Sequence, residues 1–376
     1  MMDEWIVQRG DIEPLLEGLT ILGTGGGGAP GWGRLILHNE FARGREMRIV
    51  DPKAIADDAR VSSGGIMGST KIIDVMSIDE VVESWEDDFV LLKAFGVMAE
   101  YLGGPLDHVV PFEVGGLNTP VIMSLCARLG IPMIDGDALG RSAPETQMTS
   151  FIGHSISLTP MPLVDALGNA IVVTQSVEPT YADEIGRWVI TQGGGLGGNS
   201  HYPMTGRQLK EAVIPNTVSL ARDIGQAVLE ARNSGMDPVT AAAQELKGRH
   251  LFTGTITALE EKEQTGFYLT VVTLAGSGEW SGRAADLTIK NEVMLCQLDG
   301  RLAVIFPDLV CMLDPATGRG LMSTELREGT QVALIGTACH PRLRRAASSP
   351  QGQKSFSPAR FGRPDLEYRP IEELKN

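Results

Sequence analysis

Three acidic side chains in the N-terminal half of the sequence follow short apolar stretches that predict β-strands. Glu113 comes directly after the stretch 109–112, and Asp135 and Asp137 follow the stretch 133–134. A carboxylate that leaves an apolar strand is partly desolvated, which raises its pKa and suits it to general acid–base catalysis. Two carboxylates at the spacing of Asp135 and Asp137 also suit a divalent cation, or a base with an orienting partner. A turn and a helix cap are the alternative interpretation of this pair.

Two further charged residues follow on the same segment. Arg141 and Glu145 lie four and eight residues beyond Asp137, so on a helix they would share one face and could pair. We expect Arg141 to hold a substrate carboxylate, and we include Glu145 among the candidate catalytic residues.

Other polar residues near these acids are candidates for ligand binding. Asn118 and Thr119 offer hydrogen-bond donors beside Glu113, or they cap a helix that begins at Pro120. His154 lies between Gly153 and a serine, close in sequence to the Asp135 segment. An ordinary surface histidine is the alternative for His154.

The stretch 21–31, ILGTGGGGAPG, contains six glycines in nine residues. Glycine costs backbone entropy on folding, so such a run indicates that the bare backbone must approach something closely. Successive amide N–H groups in such a loop can form a nest for an oxyanion, a carboxylate or a polarised carbonyl. A flexible turn is the alternative. The candidate ligand-binding residues of the run are Thr24, Gly25, Gly26, Gly27 and Gly28.

The same run also satisfies the letters of the dinucleotide-binding motif G-x-G-x-x-G, and Asp51 follows Gly28 by 23 residues. That motif needs a buried strand before it, whereas the leucines of 15–22 recur at helical spacing. Pro30 also interrupts the helix that should hold the pyrophosphate. We therefore do not expect NAD to bind here.

The elements that must position these residues alternate regularly in the first 170 residues. Short apolar stretches are followed by loops of small residues and then by helical patterns, which indicates an α/β domain with a mostly parallel sheet. The predicted helices are 15–22, 32–42, 89–102 and 120–129. Because ligands bind at the carboxyl ends of parallel strands, the loops 62–69, 113–118 and 135–141 are expected to meet at one edge of the sheet.

The second half of the sequence has a different character. Helical patterns at 181–190 and 216–232 give way to strand patterns from residue 251, and Asp299-Gly300 is a hairpin signal. We predict a mainly antiparallel C-terminal β domain with connecting helices. The predicted divisions are an α/β domain (1–170), a helical connecting region (171–248), a β-rich domain (249–345) and a C-terminal loop and tail (346–376).

Composition excludes several classes of function. The chain has 376 residues and a net charge of −15, which argues against nucleic acid as a partner. Its four scattered cysteines are typical of a reducing compartment, and no run of 18 apolar residues predicts a membrane span. We expect a cytoplasmic protein with a small-molecule substrate. Exposed strand edges favour a homo-oligomer.

An ordered set of segments resembles a known family. The segments are LEGLTILGTGGGGAPGWG, FEVGGLNTPVIMSLCARLGIPMIDGDALGRSAPETQMTSF, LTPMPLVDALGN, FPDLVCMLDPATGRGL and LEYRPIEEL. They resemble the S-methyl thiohydantoin desulfurase family, also catalogued as domain of unknown function 917, across nearly the whole chain. Members are often encoded near hydantoinase and oxoprolinase subunits. The resemblance implies an N-terminal α/β domain and a C-terminal domain rich in β structure.

The resemblance and the residues together predict a hydrolase-like enzyme acting on a small cyclic amide or imide of the hydantoin or S-methyl thiohydantoin type. The glycine run would bind the ring carbonyl, the thiocarbonyl or a developing anion. Asp135 and Asp137 would activate water, directly or through a divalent metal, and Glu113 would act as base or acid. Two alternatives stay open: a non-catalytic subunit or binding partner of a hydantoinase or oxoprolinase system, and a dinucleotide-binding oxidoreductase.

Overall fold

The computed structural model of the chain describes residues 4–68, 77–264 and 267–374. In the N-terminal half the helices are α1 (Ile12–Leu22), α2 (Pro30–Ala42), α3 (Ile78–Ser84), α4 (Val90–Tyr101) and α5 (Asn118–Leu129). The strands of this half are β1 (Glu4–Ile6), β2 (Arg48–Val50), β3 (Arg60–Gly68), β4 (His108–Pro111), β5 (Met133–Ile134), β6 (Gly136–Asp137), β7 (Met161–Asp165) and β8 (Ala170–Val173).

The middle of the chain adds one long strand, one short strand and four helices. The helices are α6 (Pro179–Gln192), α7 (Gly206–Ala212), α8 (Thr217–Ser234) and α9 (Pro238–Glu245). The strands are β9 (Leu196–Thr205) and β10 (Ile214–Pro215). The region 171–248 is therefore mainly helical, but β9 is a central member of the first sheet.

The remaining elements form the C-terminal part. The strands are β11 (Arg249–Gln264), β12 (Phe267–Gly276), β13 (Ala284–Lys290), β14 (Glu292–Leu298), β15 (Arg301–Ile305), β16 (Leu309–Leu313) and β17 (Gln331–Thr337). Two helices follow, α10 (Pro341–Ser348) and α11 (Pro350–Ser355). None of the helices in the described ranges is both long and apolar enough to cross a lipid bilayer.

The first sheet confirms the predicted α/β domain. Its strand order is β1-β2-β5-β4-β3-β9-β7-β8. The four strands β2, β5, β4 and β3 are parallel, and antiparallel strands extend the sheet on both sides. The sheet as a whole is mixed, and its parallel part is the section that delivers Glu113 and Asp135.

Helix α1 confirms the helical spacing of the leucines before the glycine run, and it packs closely on α8. A Cβ added at Gly18 would lie 1.7 Å from the carbonyl oxygen of Ala221, and one at Gly225 would lie 1.8 Å from that of Pro14. Only glycine permits such a close approach of two helix backbones. This contact fixes the end of α1, from which the glycine run leaves, against the helix that follows Asp135 and β10.

The second sheet is antiparallel, as predicted, with the order β15-β14-β13-β12-β11-β17-β16. Asp299 and Gly300 form the predicted hairpin between β14 and β15, both with positive φ. One hydrophobic cluster spans both halves of the chain, with Met294 and Phe306 packed in the same cluster as Leu19 of α1, and a second cluster lies within the C-terminal part. The halves are therefore joined by apolar packing and by the polar contacts of the site.

Two local predictions are wrong. The segment 62–69 is not a loop, because residues up to Gly68 belong to β3; Ser69 lies outside the described residues. This strand buries small side chains, so it lacks the apolar alternation by which strands are recognised. The first part of the predicted C-terminal loop and tail (346–376) is largely helical as far as residue 361, and Ser349 caps α11 by accepting a hydrogen bond from the Gly352 amide at 3.0 Å.

Candidate functional site

The glycine run adopts a backbone that other residues rarely adopt. The φ angles are 51° at Thr24, 93° at Gly25, 74° at Gly27 and 80° at Gly28. Such left-handed conformations are accessible to glycine without a steric penalty. The run therefore turns sharply between α1 and α2, as the glycine content predicts.

The carbonyl groups of the run are used to fasten it to its surroundings. The carbonyl of Thr24 accepts a hydrogen bond from the Val293 amide at 2.9 Å, and that of Gly25 accepts one from the Ser323 amide at 2.8 Å. The carbonyl of Gly27 accepts one from the Leu117 amide at 3.0 Å. The run is thus held between the C-terminal sheet and the loop that follows β4.

The amide groups of the run are oriented differently. In the described part of the chain, the amides of Gly25 and Gly28 have no hydrogen-bond acceptor. The amide of Gly27 lies close enough to the carboxyl group of Glu292 to lower its pKa. The Gly27 amide of the run is therefore a donor toward a buried acid that the sequence had not indicated.

Glu292 opens β14 and is fully buried. Its Oε1 accepts a hydrogen bond from Asn291 Nδ2 at 2.6 Å, whereas Oε2 has no partner among the described residues. A Cβ added at Gly26 would lie 1.9 Å from Oε1, so the carboxyl group rests on the bare backbone of the run. Burial raises the pKa of Glu292 to about 7, against the opposing effect of the Arg141 charge.

Glu113, in the loop that follows β4, is the second buried acid of the site and is 4% exposed. Its Oε1 accepts a hydrogen bond from Asn118 Nδ2 at 2.5 Å, and its Oε2 accepts one from the Ala143 amide at 2.7 Å. Burial is the first cause that raises the pKa of Glu113 well above its usual value, and the charge of Glu292 is the second. Two buried carboxyl groups that interact in this way titrate as a pair, because ionisation of one disfavours ionisation of the other.

Asp137 supports the loop that carries Glu113. Its Oδ2 accepts hydrogen bonds from the amides of Val114 at 3.2 Å and Leu139 at 3.1 Å, and its Oδ1 accepts one from the Gly140 amide at 2.8 Å. Burial raises its pKa to about 7 despite these donors. Gly27 contacts the same loop, since a Cβ there would lie 2.7 Å from Gly115 Cα.

Asp135 faces a different element. Its Oδ1 accepts hydrogen bonds from the amides of Val218 at 3.1 Å and Ser219 at 3.0 Å, and its Oδ2 accepts one from the Ser219 hydroxyl at 2.7 Å. It therefore caps the first turn of α8, and burial raises its pKa. The geometry brings Asp137 to the glycine run through the Glu113 loop, but it directs Asp135 to α8.

The donor set around the two aspartates does not fit a divalent cation. Both oxygens of each carboxylate already receive N–H or O–H donors, an arrangement that suits an anion and leaves no set of oxygen ligands for a metal. Among residues 4–68, 77–264 and 267–374, no group of three or more His, Cys, Asp or Glu side chains is placed to hold a metal ion. We derive no step through a metal.

Arg141 is fully buried between the two halves of the chain. Its Nη2 donates to Thr24 Oγ1 at 3.1 Å and to the Val293 carbonyl at 2.8 Å, and its Nη1 donates to the Asp308 carbonyl at 2.7 Å. Burial lowers its pKa to about 10, so it stays charged. The guanidinium group fixes the glycine run to β14 and places a positive charge near Glu292.

Glu145 anchors the tip of the β13–β14 hairpin. Its Oε1 accepts a hydrogen bond from Lys290 Nζ at 2.6 Å, and its Oε2 accepts one from Arg360 Nε at 2.8 Å. Lys290 and Glu292 are directly opposite each other in this hairpin, separated only by Asn291 with its φ of 63°. The ion pair with Glu145 therefore holds the hairpin tip that delivers Glu292.

The two remaining candidates have different surroundings. Thr119 Oγ1 accepts a hydrogen bond from the Gly115 amide at 3.2 Å and so braces the Glu113 loop. His154 ends a short helical turn, where burial and the charges of Arg345 and Arg342 lower its pKa. Those arginines belong to α10, so the contacts of His154 lie with the C-terminal helix.

Glu292 and Asn291 are functional candidates that the sequence interpretation missed. The signal was present, since Glu292 adjoins an apolar strand in the same way as Glu113, and Asn is a residue that tolerates the left-handed turn before it. The sequence pattern did not show that Glu292 would lie near Glu113, because the two are 179 positions apart and only folding brings them together.

The comparisons with known proteins cover nearly the whole chain. A family model described as "S-Me-THD-like, N-terminal domain" matches residues 10–175, and one described as "S-Me-THD-like, C-terminal domain" matches residues 177–371. A crystal structure of a protein from Chromobacterium violaceum matches with a TM-score of 0.76 and 22% identity, over 98% of this chain and 100% of that one. This likeness shows a common fold. No curated protein matches.

Proposed function

The chain belongs to the S-Me-THD-like family, and on that premise we propose that it is an enzyme acting on a small cyclic amide or imide of the hydantoin or S-methyl thiohydantoin type. The observation that carries the proposal is the buried pair of Glu113 and Glu292 beside the glycine run. Two carboxyl groups whose pKa values are raised, and which influence each other, can serve as the acid and the base of a reaction at neutral pH.

The reaction that suits this pair is replacement of a methylthio group by water. Water adds to the ring carbon that bears sulfur, the C–S bond breaks, a ring carbonyl forms and methanethiol leaves. The ionised carboxyl group of the pair takes a proton from the attacking water. The protonated one delivers its proton to the departing sulfur, and the second proton of the water moves to the ring nitrogen as the carbonyl forms, so protons and electrons balance.

The surroundings of the two acids suggest how they divide these roles. Burial and the charge of Glu292 raise the pKa of Glu113 well above its usual value, so we assign Glu113 the proton that is delivered to sulfur. The Arg141 charge favours the ionised form of Glu292, and its Oε2 has no partner among the described residues, so we assign Glu292 the role of taking the proton from water. The free amides of Gly25 and Gly28 are the donors we propose for negative charge that develops on the ring.

The other predicted residues receive supporting roles in this proposal. Asp137 and Thr119 hold the loop of Glu113, while Arg141 and Glu145 hold the glycine run and the hairpin of Glu292. These are positioning residues. The partly buried members Gly28, Asn118 and Asn291 mark the side from which a substrate would approach.

The test is a screen of S-methyl thiohydantoins, thiohydantoins, hydantoins and lactams with the purified chain, with and without divalent metals. We expect methanethiol release from an S-methyl thiohydantoin, and its loss in Glu292→Gln. Glu279→Gln, which changes an exposed acid of the same type, is the matched control. Full activity of Glu292→Gln, or turnover of none of these compounds, would overturn the proposal. A chain that is inert alone and active only with a co-purifying hydantoinase subunit would favour the non-catalytic alternative.

A further inference from the structure

A second group of buried polar atoms without partners lies on β3 and β9. Ser63 and His201 face each other as register partners of these antiparallel strands, and they are 0% and 1% exposed. Neither Ser63 Oγ nor His201 Nδ1 has a hydrogen-bond partner among the described residues. Buried polar atoms in native proteins are normally satisfied, so two such atoms side by side indicate something that they bind.

An irregularity of β9 directs these side chains to one place. The register shifts between Val61 and Ser63, and Tyr202 has a φ of 50°. As a result the rings of His201 and Tyr202, although consecutive in sequence, lie on one side with their centroids 5.1 Å apart. Bulges of this kind re-aim side chains and are common beside active sites.

The segment 146–151 covers the same face and adds further atoms of this kind. The Tyr202 hydroxyl donates to the Thr146 carbonyl at 2.9 Å, and the rings of Tyr202 and Phe151 lie 5.3 Å apart. Within this segment, Gln147 Oε1 and Ser150 Oγ also lack partners among the described residues. Gln147 Nε2 donates to Glu145 Oε2 at 2.6 Å, so its side chain is directed to that acid, and Ser63 and His201 are the unpartnered pair that faces one place.

The charged groups near these atoms are already paired with one another. Burial lowers the pKa of His201 to about 3, so the imidazole is neutral at physiological pH. The nearest charge that acts on it is Asp183, which is already bound by Arg187 and by Thr146. Among the described residues beside His201, Arg187 is already bound to Asp183, whereas the hydroxyl and imidazole atoms match a neutral group with N–H and C=O functions.

We propose that Ser63 and His201 form a closed subsite for the uncharged amide or imide edge of the substrate ring or of its substituent. The subsite adjoins the acid pair, because the ring of Phe112, the residue before Glu113, lies 5.5 Å from that of His201. The identity of the ligand rests on the proposed function. The subsite itself rests on the unpartnered atoms.

The experiment measures binding of hydantoin, a neutral cyclic imide, by calorimetry. Losing one hydrogen bond to the ligand weakens binding by about tenfold, so we expect that increase in Kd for Ser63→Ala and for His201→Phe. The matched control is Ser62→Ala, since Ser62 is equally buried but is bound to Ser200 Oγ at 3.2 Å. Its Kd stays within about twofold of the wild-type value. Circular dichroism verifies that each variant is folded.

The outcomes separate this inference from the proposed function. The subsite is overturned if the wild type, Ser63→Ala and Ser62→Ala bind hydantoin with equal affinity. It is also overturned if the wild type does not bind hydantoin, even when methanethiol release is observed. Binding that Ser63→Ala weakens and Glu292→Gln retains supports the subsite, even if no compound is turned over and the proposed catalysis fails.

Discussion

Gly26 and Glu292 are in direct contact across the two halves of the chain, with 1.9 Å between Glu292 Oε1 and the position that a Cβ on residue 26 would occupy. The backbone of the glycine run thus forms the floor beneath a buried carboxyl group. Glycine is needed at position 26 because the Glu292 carboxyl group occupies the space that a side chain on residue 26 would fill.

Substitution of Gly26 by alanine should therefore displace Glu292. We expect loss of unfolding free energy of about 1–3 kcal/mol, typical of overpacking, together with loss of turnover. Urea unfolding and a methanethiol assay measure the two effects. Gly31→Ala is the control, because nothing lies within 4 Å of its added Cβ and it is in α2. Unchanged activity in Gly26→Ala would show that the position of Glu292 is not needed.

The pH dependence of stability should report the raised pKa of Glu292. Its pKa is about 7 in the folded chain and 4.5 is its ordinary value, so the folded state binds the proton more tightly. The corresponding stability is present below the unfolded pKa and is lost as the pH rises to the folded one. Between about pH 5 and about pH 8, the free energy of unfolding of the wild type should fall by up to about 3 kcal/mol more than that of Glu292→Gln. Parallel pH curves for the two proteins would contradict the raised pKa.

Glu145 should matter for stability more than for chemistry. Glu145→Gln leaves the buried Lys290 ammonium without its carboxylate, which we expect to cost about 3–5 kcal/mol of unfolding free energy. The turnover of the folded fraction should fall less than in Glu292→Gln. Glu178→Gln is the control, since its ion pair with Lys354 is exposed and should contribute at most about 1 kcal/mol. If Glu145→Gln is as stable as the wild type but inactive, Glu145 has the catalytic role that the sequence predicted.

Asp135 offers a test between capping and catalysis. Asn is as good a cap as Asp, so Asp135→Asn should retain turnover, while Asp135→Ala should lose about 1–2 kcal/mol of unfolding free energy. Thermal unfolding and the same thiol assay provide the measurements. If Asp135→Asn is folded and inactive, the carboxylate takes part in the reaction and the original prediction of water activation is correct.

The sequence alone determined those features that depend on neighbours along the chain. The leucine spacing predicted α1, the apolar stretches predicted the parallel strands, and the glycines predicted a backbone that something approaches closely. Glu113 was found by the same local logic, since a carboxylate at the end of an apolar strand is desolvated wherever the strand packs. The five quoted segments also identified the family, and the two family models confirm it.

Only the tertiary structure decided which acid belongs with Glu113. Asp135 and Asp137 have the same local pattern, yet one faces the amides of α8 and the other faces the loop of Glu113. Glu292 reaches the glycine run because a hairpin tip from the second sheet is held there by Glu145. Such pairings depend on contacts between segments far apart in the chain, and the energies that select them arise from burial and charge in the folded state, which no local pattern records.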